Sequence, residues 1–240
     1  MTTKSAMVVV PTYNERENLP NLIEAILKQG ESFNILVVDD NSPDGTGQIA
    51  DEYAQKYPGR VFVLHRQEKK GLGQAYVAGF KEALTHQTDY IIQMDADFSH
   101  DPNELPKFMP LMEQYDLVIG SRYIDGHISV VNWSLTRLLL SFFASVYVRL
   151  ITGMKIWDTT GGFKCWKRQV LEQINLDHVQ SDGYSFQIEM NWRAYRLNYR
   201  IGEMPIIFLD RHSGTSKMTM SIIREAVWRV WALRFGFYKR

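Results

Sequence analysis

At 240 residues the chain is long enough to bury one substantial core or two small ones, and its 45% hydrophobic and 22% charged composition excludes the disordered and collagen-like classes. The net charge is zero, and we expect no nucleic-acid partner. One cysteine, Cys165, excludes an internal disulfide and suits a reducing compartment. Asn14 and Glu15 interrupt the first apolar run, which is therefore too short for a signal peptide, and we expect the protein to stay in the cytosol.

The elements alternate along the first half of the chain. Short β-branched and apolar runs predict strands at 7–11, 35–38, 61–64, 90–95 and 117–119, and helical spacing predicts helices at 17–29, 47–57, 71–84 and 102–113. Strands that alternate with helices at this spacing indicate an α/β fold, a mainly parallel sheet flanked by helices. Residues 128–151 then form a long apolar stretch whose uncharged core is too short to span a bilayer. It is either a buried core helix or a helix at a membrane interface.

The charge is unevenly distributed. From Arg211 to the end, seven basic side chains face one acid, and arginines alternate with aromatic residues over 221–240. Tryptophan, tyrosine and arginine together favour the headgroup layer of a membrane, so we expect an amphipathic helix that associates peripherally with an anionic surface. A solvated basic helix, or one that packs on the protein, is the alternative.

Acidic residues follow several predicted strands. Asp95 and Asp97 end the fourth, and alternation along a strand directs both to one side, where they can share a divalent cation. By itself such a pair is weak evidence, because a surface turn with two solvated acids is commoner, but Glu15, Asp39 and Asp40 follow other strands. Parallel strands end at one edge, so these carboxylates gather at one cleft, where Mg²⁺ or Mn²⁺ bridging diphosphate oxygens would balance them.

No glycine loop of the Walker or dinucleotide type is present, so phosphates are expected to meet the metal and basic side chains. The candidates are Arg122, Arg137, Arg211 and Lys217. Each taken alone is better explained as an ordinary surface charge, and only as a set do they suggest a phosphate-bearing substrate. His100 is predicted to lie at a helix start rather than to act as a base, and Asp158 to cap or orient a loop. Glu189 either faces the cleft or pairs with Arg193 four residues on.

Together these residues resemble the dolichol- or polyprenol-phosphate mannose synthases, inverting glycosyltransferases of the GT-A fold. The resemblance runs from Val8 to about Met218. The motifs that carry it are PTYNERENL at 11–19, VDDNSPDGT at 38–46, MDAD at 94–97, GSRY at 120–123 and RHSGTSK at 211–217. It implies a catalytic domain over 1–220, with an interfacial helix at 124–153, and a membrane-associating helix over 221–240.

The resemblance also implies roles for individual residues. The guanosine of GDP-mannose would contact Pro11, Tyr13, Glu15, Val38 and Asp40. The diphosphate and a Mg²⁺ or Mn²⁺ ion would be held by Asp95, Ala96 and Asp97, with the two acids as metal ligands. The catalytic set would be Asp97, Arg122, Arg211 and Lys217, whose three basic members also bind the donor, while Arg122, Arg137 and Ser216 would receive the acceptor phosphate. Some family members offer a glutamine ligand where this chain has Ser99.

The implied activity is transfer of mannose from GDP-mannose to a polyprenyl or dolichyl monophosphate, with inversion, at the cytoplasmic face of a membrane. A related enzyme that uses a UDP-sugar such as UDP-glucose would keep nearly the same motifs. A catalytically silent, nucleotide-binding membrane subunit is the second alternative, against which the intact acids argue.

Overall fold

The computed structural model describes residues 4–124, 127–179, 181–209 and 220–236. Its strands are β1 (Ala6–Thr12), β2 (Phe33–Asp39), β3 (Val61–His65), β4 (Tyr90–Gln93), β5 (Leu117–Ser121), β6 (Tyr123–Ile124), β7 (His127–Ile128), β8 (Val130–Val131), β9 (Lys164–Lys167), β10 (Ile201–Pro205) and β11 (Phe208–Leu209). Its α-helices are α1 (Leu19–Leu27), α2 (Thr46–Lys56), α3 (Leu72–Ala83), α4 (Leu105–Leu111), α5 (Leu135–Thr152), α6 (Arg168–Gln173), α7 (Gly183–Arg196) and α8 (Met220–Phe235). Short 3-10 turns lie at Pro102–Glu104 and Leu176–His178.

Seven strands form the central sheet, in the order β10-β5-β9-β4-β1-β2-β3. β9 runs antiparallel to both of its neighbours, and the other pairs are parallel, so the expected mainly parallel sheet is confirmed. The chain moves outward from β1 to β3 and then returns to place β4 on the other side of β1. The topological switch therefore lies between β1 and β4, and ligands of open α/β sheets bind at the carboxyl ends of strands at such a point.

Both faces of the sheet are covered, which explains why its strands are continuous apolar runs. Met7 and Val9 of β1 pack on one face with the core residues of α3 and α7. Val8 and Val10 point to the other face and pack with α1 and α4. The sheet is thus rigidly held, and the loops that follow its strands are built on a fixed edge.

Gly79 sets the distance between α3 and the sheet. A Cβ at this position would lie 2.5 Å from Val9 Cγ1 and 2.9 Å from Val38 Cγ2. Both distances are shorter than real side chains tolerate, so the absence of a side chain lets α3 approach β1 and β2 closely. This approach brings the start of α3 to the edge where the site is formed.

Asp116 ties three strands together at the opposite end of the sheet. Its carboxylate accepts hydrogen bonds from Lys167 Nζ at 2.8 Å and from Arg200 N at 2.9 Å, and Arg200 Nε and Nη2 donate at 3.2 Å. Burial opposes ionisation of this carboxyl group, but the hydrogen bonds from Arg200 and Lys167 together outweigh it and lower the pKa of Asp116 to about 2. The cluster joins β5, β9 and β10.

The stretch 128–151 differs from the expected single helix. Its first residues form the short strands β7 and β8, and α5 begins only after Ser134, whose hydroxyl accepts a hydrogen bond from the backbone N–H of Arg137 at 3.4 Å. Only 17% of the helix is buried, so α5 is not a core helix. Among the described residues α5 is the one helix that by length and composition alone could cross a membrane, contrary to the expectation that this stretch is too short.

The C-terminal helix α8 packs on the rest of the protein. Trp192 Nε1 donates a hydrogen bond to the Leu233 carbonyl at 3.1 Å, and Tyr147 Oη donates to the Val227 carbonyl at 3.2 Å. Val230 and Leu233 are buried in the same core as α3 and α7. One side of α8 therefore belongs to the globular core.

Candidate active site

Asp95 and Asp97 lie in the loop that follows β4. The strand ends at Gln93, so alternation along a strand does not set the directions of these side chains, and that part of the prediction is wrong. Directly after Asp97, Phe98 has a φ of 58°, which is uncommon for a residue with a side chain. The loop thus turns sharply and keeps both acids at the carboxyl edge of the sheet, beside the switch between β1 and β4.

The loop that carries the acids is held by hydrogen bonds. Tyr76 Oη, from α3, donates to Asp95 Oδ1 at 2.6 Å, and the Ser99 backbone N–H donates to Asp97 Oδ1 at 3.0 Å. The backbone N–H of Asp95 donates to His100 Nδ1 at 3.2 Å. Burial raises the pKa of the Tyr76 hydroxyl well above its ordinary value, and it therefore remains a donor. The first carboxylate is oriented by a side chain that sequence analysis assigned only to a helix.

His100 supports this loop as a neutral ring. Its imidazole is buried and stacks on Phe163 with ring centroids 5.0 Å apart. Burial lowers the pKa of His100, and acceptance of a hydrogen bond at Nδ1 places the proton on Nε2. The helical turn itself starts at Asp101, whose carboxylate caps it by accepting from the Asn103 N–H at 2.9 Å.

The donor set of this loop suits Mg²⁺ or Mn²⁺. Carboxylate oxygens are ligands that these ions prefer, and Asp95 keeps one oxygen, Oδ2, on the side away from the Tyr76 bond. The described residues contain no group of three acidic, histidine or cysteine side chains that could enclose a metal ion. Mg²⁺ is commonly bound by one or two carboxylates together with substrate phosphates, which matches two acids at an open edge.

The predicted nucleoside contacts gather at the ends of β1 and β2. Pro11 and Val38 are paired across these parallel strands, and both are buried. Tyr13 is 36% exposed, and Lys69 Nζ lies 3.8 Å from the centre of its ring. Glu15 accepts a hydrogen bond from Asn18 Nδ2 at 2.8 Å. These side chains form a rim at the carboxyl ends of β1 and β2, and β1 is the neighbour of β4, which the acid loop follows.

The two neighbouring acids after β2 have different roles. Asp39 accepts hydrogen bonds from Thr12 Oγ1 at 3.1 Å and from Ser42 Oγ at 2.6 Å, so it organises the loop. Asp40 forms an ion pair with Arg66. Burial raises the pKa of the Asp40 carboxyl group, and the positive charge of Arg66 works against that rise. Asp40 and Arg66 together place an acceptor and donors side by side at the rim.

Arg122 occupies a different environment from the open phosphate ligand that was expected. Nε and Nη2 donate to the two oxygens of Asp158 at 2.7 Å each, and the backbone N–H donates to Oδ2 at 3.0 Å. Nη2 also donates to Thr160 Oγ1 at 2.8 Å. The exposed fractions are 4% for Arg122 and 0% for Asp158, so this is a buried, bidentate ion pair. Asp158 does orient a loop, as predicted, by linking the turn at 157–160 to the end of β5.

Of the remaining basic candidates, only Arg137 lies among the described residues. Arg137, on the first turn of α5, lies over the Trp133 ring at 4.2 Å from its centre. Arg211, Ser216 and Lys217 lie outside the described residues, so their predicted roles stay predictions. Glu189 takes the second of its two predicted roles, because its Oε1 accepts from Arg193 Nη2 at 2.7 Å.

Several contributors were missed by sequence analysis. Tyr76 was missed because its position in α3 fits an apolar core pattern. Arg66 and Lys69 follow the third strand as part of a basic cluster, and the rule that strand ends meet at one edge applies to bases as well as acids. Local sequence therefore contained a signal for the two basic residues and none for the tyrosine.

An apolar surface adjoins the site. α5 exposes Leu135, Leu139, Leu140, Phe143 and Leu150, and α8 exposes Val227, Trp228, Trp231 and Phe235. Between α5, α7 and α8 lies a pocket of about 220 Å³, with Trp133, Arg137 and Thr160 among its lining residues. Thr160 accepts a hydrogen bond from Arg122, so the pocket extends from the apolar helices to the buried Arg122–Asp158 pair. Exposed apolar patches of this kind mark surfaces for lipid or protein contact.

A model of the family described as "Glycosyl transferase family 2" matches residues 7–175. Polyprenol monophosphomannose synthase of Mycolicibacterium smegmatis is 46% identical over 235 residues, which cover 97% of this chain and 88% of that protein. Undecaprenyl-phosphate mannosyltransferase of Micrococcus luteus is 43% identical over 229 residues, which cover 95% of this chain and 93% of that protein.

Solved structures share the fold. Glucosyl-3-phosphoglycerate synthase from Mycobacterium tuberculosis, in complex with Mn²⁺, UDP and glucosyl-3-phosphoglycerate, superimposes with a TM-score of 0.66 at 16% identity, covering 98% of this chain and 80% of that one. Its UDP complex gives a TM-score of 0.67 at 18% identity, covering 97% of this chain and 80% of that one. At this identity the likeness concerns the fold alone, and it confirms the expected GT-A architecture. Together with the family match and the two relatives, these comparisons show that the chain belongs to glycosyl transferase family 2.

Proposed function

We propose that the protein transfers mannose from GDP-mannose to the phosphate of a polyprenyl monophosphate, with inversion at the anomeric carbon. The observation that carries this proposal is the two-acid loop at the switch point, fixed by Tyr76 and bordered by the nucleoside rim. Two relatives that cover most of the chain are named for polyprenol-phosphate mannose transfer, which supports the sugar and the acceptor class.

The donor nucleotide lies along the rim in this proposal. Pro11 and Val38 form an apolar floor, Tyr13 and Glu15 border it, and Asp40 accepts hydrogen bonds from the base. Asp95 and Asp97 hold Mg²⁺ or Mn²⁺ against the diphosphate, with Ala96 between them. An ion held by these two acids would supply positive charge that offsets the charge on the departing GDP. Arg211 and Lys217 complete the phosphate contacts.

The acceptor needs no general base. A phosphate monoester has a second pKa of about 6, so at neutral pH the lipid phosphate is already largely a dianion. The protein has only to hold it in line with the anomeric carbon, opposite the leaving GDP. Arg137 and Ser216 serve as its contacts in this proposal. Because the Arg122 guanidinium is already held by Asp158, we assign Arg122 a positioning role, in which it holds the turn at 157–160 against the end of β5.

The exposed apolar faces of α5 and α8 are explained by a lipid substrate. The exposed faces of α5 and α8 seat the protein on the cytoplasmic leaflet, where the polyprenyl tail remains in hydrocarbon while its phosphate reaches Arg137. Trp228 is 70% exposed, and tryptophan is enriched at the headgroup level of membranes.

The test offers GDP-mannose, GDP-glucose and UDP-glucose, each with a short polyprenyl phosphate and with Mg²⁺ or Mn²⁺, and measures glycolipid formation. We expect product from GDP-mannose and inverted stereochemistry at the anomeric carbon. Transfer from UDP-glucose alone, or from no donor with either cation, would overturn the proposal. Retained stereochemistry would exclude the direct in-line displacement.

The metal role is tested separately. Asp97→Ala is expected to lower transfer by at least about 100-fold, because loss of one preorganised electrostatic contact at the leaving group costs roughly that much. Asp101→Ala is the matched control, since Asp101 is an acid four residues further on that caps a turn. A control variant as impaired as Asp97→Ala would show that the loss comes from the fold of the loop.

A further inference from the structure

A lysine without an acidic partner is buried beneath the site. Lys164, at the start of β9, is 0% exposed, and among the described residues no carboxylate lies within ion-pair distance of it. Its Nζ donates to two oxygens of a single residue, Gln187 Oε1 at 2.8 Å and the Gln187 carbonyl at 3.2 Å. Burial lowers the pKa of the Lys164 ammonium well below its ordinary value. An apolar side chain could fill this space without the free-energy cost of burying an amine. The presence of a lysine here, hydrogen-bonded to Gln187, therefore requires an explanation.

These hydrogen bonds fix which way the Gln187 amide points. Gln93 Nε2 also donates to Gln187 Oε1, at 2.9 Å. Lys164 Nζ and Gln93 Nε2 both donate to this one amide oxygen, so the Nε2 amino group of Gln187 faces the opposite direction. Lys164 and Gln93 are 0% exposed and Gln187 is 4% exposed, which leaves this orientation little freedom. Nε2 itself donates no hydrogen bond to any of the described residues.

The direction that Nε2 faces is the acid loop. At Gly162 a Cβ would lie 3.6 Å from Gln187 Nε2, 3.6 Å from Asp95 Oδ2 and 3.5 Å from His100 Cε1. The glycine therefore leaves a space with the amide donor and the carboxylate on its sides. An N–H group that faces such a space, beside a predicted metal ligand, is placed to meet an oxygen atom of a bound ligand.

We propose that Gln187 donates a hydrogen bond to an oxygen of the bound nucleotide sugar, in the space above Gly162, and that Lys164 is a positioning residue that holds the amide in the donating orientation. This inference rests on the proposed function, and it adds a contact from α7 to the donor site. The acceptor is either a hydroxyl of the sugar or an oxygen of the diphosphate, since both present the same chemistry.

Two variants separate this role from a structural one. Gln187→Glu keeps an oxygen for Lys164 and Gln93 and so preserves the buried network, but it removes the donor. Gly162→Ala adds no charge, and its new methyl group would meet its neighbours at ordinary contact distances of 3.5–3.6 Å while occupying the proposed position of the ligand oxygen. We expect each variant to melt within roughly 3 °C of wild type and to lose at least about 10-fold in kcat/KM, or about 1.4 kcal/mol.

Calorimetric titration with Mn²⁺ and either GDP or the nucleotide sugar identifies the acceptor oxygen. Weaker binding of the nucleotide sugar with unchanged binding of GDP places the contact on the sugar, and weaker binding of both places it on the diphosphate. Unchanged binding of both ligands, with kcat/KM within about twofold of wild type in both variants, would overturn the inference.

The positioning role has its own matched pair. Lys164→Met and Lys167→Met make the same replacement at the two ends of β9, and Lys167 pairs with Asp116 away from the site. We expect Lys164→Met to lower kcat/KM at least about 5-fold without lowering the melting temperature, and Lys167→Met to lower stability with unchanged kcat/KM. Equal kcat/KM in the two variants would overturn the positioning role. If wild type transfers no mannose, the proposed function fails alone, because the titrations are then made with whichever nucleotide sugar wild type binds.

Discussion

Replacement of Asp158 by Asn is expected to be among the most destabilising single changes in this protein. The asparagine has the shape of the aspartate, but it leaves the Arg122 guanidinium without a counter-charge at a site where Arg122 is 4% exposed. In the wild-type protein three N–H groups of Arg122 donate to the Asp158 carboxylate, at 2.7, 2.7 and 3.0 Å. Although burial disfavours the charged form, attraction to Arg122 keeps the pKa of Asp158 below its ordinary value, so the pair is ionised at neutral pH.

The expected loss of stability comes from the Arg122 charge that stays buried after Asp158 is replaced. Removing one partner of a buried ion pair costs about 3–5 kcal/mol, because the other charge stays inside without compensation. Total stabilities of about 5–15 kcal/mol make this a large share, and for a chain of this size it corresponds to a fall of roughly 6–20 °C in melting temperature. Replacing both partners, as in Arg122→Met with Asp158→Leu, should cost less than the sum of the single changes.

The assay is urea unfolding of wild type, Asp158→Asn and a control with the same chemistry at the surface. Glu68→Gln serves as that control, since Glu68 pairs with Lys70 at 2.8 Å and both side chains are more than half exposed. The control is expected to leave the free energy of unfolding unchanged within experimental error, because exposed ion pairs contribute little. A loss below about 1 kcal/mol in Asp158→Asn would refute the buried pair and return Arg122 to the role of an open phosphate ligand.

Other changes probe the remaining parts of the molecule. Asp116→Asn should lower stability at pH 7 by about 2 kcal/mol, because the pKa of Asp116 falls from 3.8 to about 2 on folding. Since the folded pKa is the lower one, this contribution is present above about pH 4 and is lost as the pH falls towards about 2. An equal difference in the free energy of unfolding between wild type and Asp116→Asn at neutral pH and at about pH 2 would contradict it. Gly79→Ala should cost roughly 1–3 kcal/mol through its clash with the sheet, although alanine usually favours helix interiors, and a raised melting temperature would contradict the close approach. Trp228→Ala combined with Trp231→Ala should reduce sedimentation with anionic vesicles several-fold at unchanged stability, and unchanged sedimentation would argue against a membrane-facing α8.

Much of the fold could be predicted because its signals are local. The alternation of apolar strands and amphipathic helices predicted every central parallel strand up to β5 within a few residues, as with β2, expected at 35–38 and found at Phe33–Asp39. The clustering of acids after β1, β2 and β4 followed from one topological rule. Prediction weakened where local periodicity was interrupted, as at residues 127–131, which form short strands before α5 begins.

Amino-acid sequence by itself therefore determined the α/β class, the family and the edge of the sheet where the acids meet. Only the tertiary structure decided what each charged side chain does there. Arg122 and Asp158 are 36 positions apart, and Lys164 and Gln187 are 23 positions apart, and no local pattern distinguishes these residues from surface charges. The reason is physical: the cost of burying a charge or an amide is set by the partners that folding brings to it, and those partners come from distant parts of the chain.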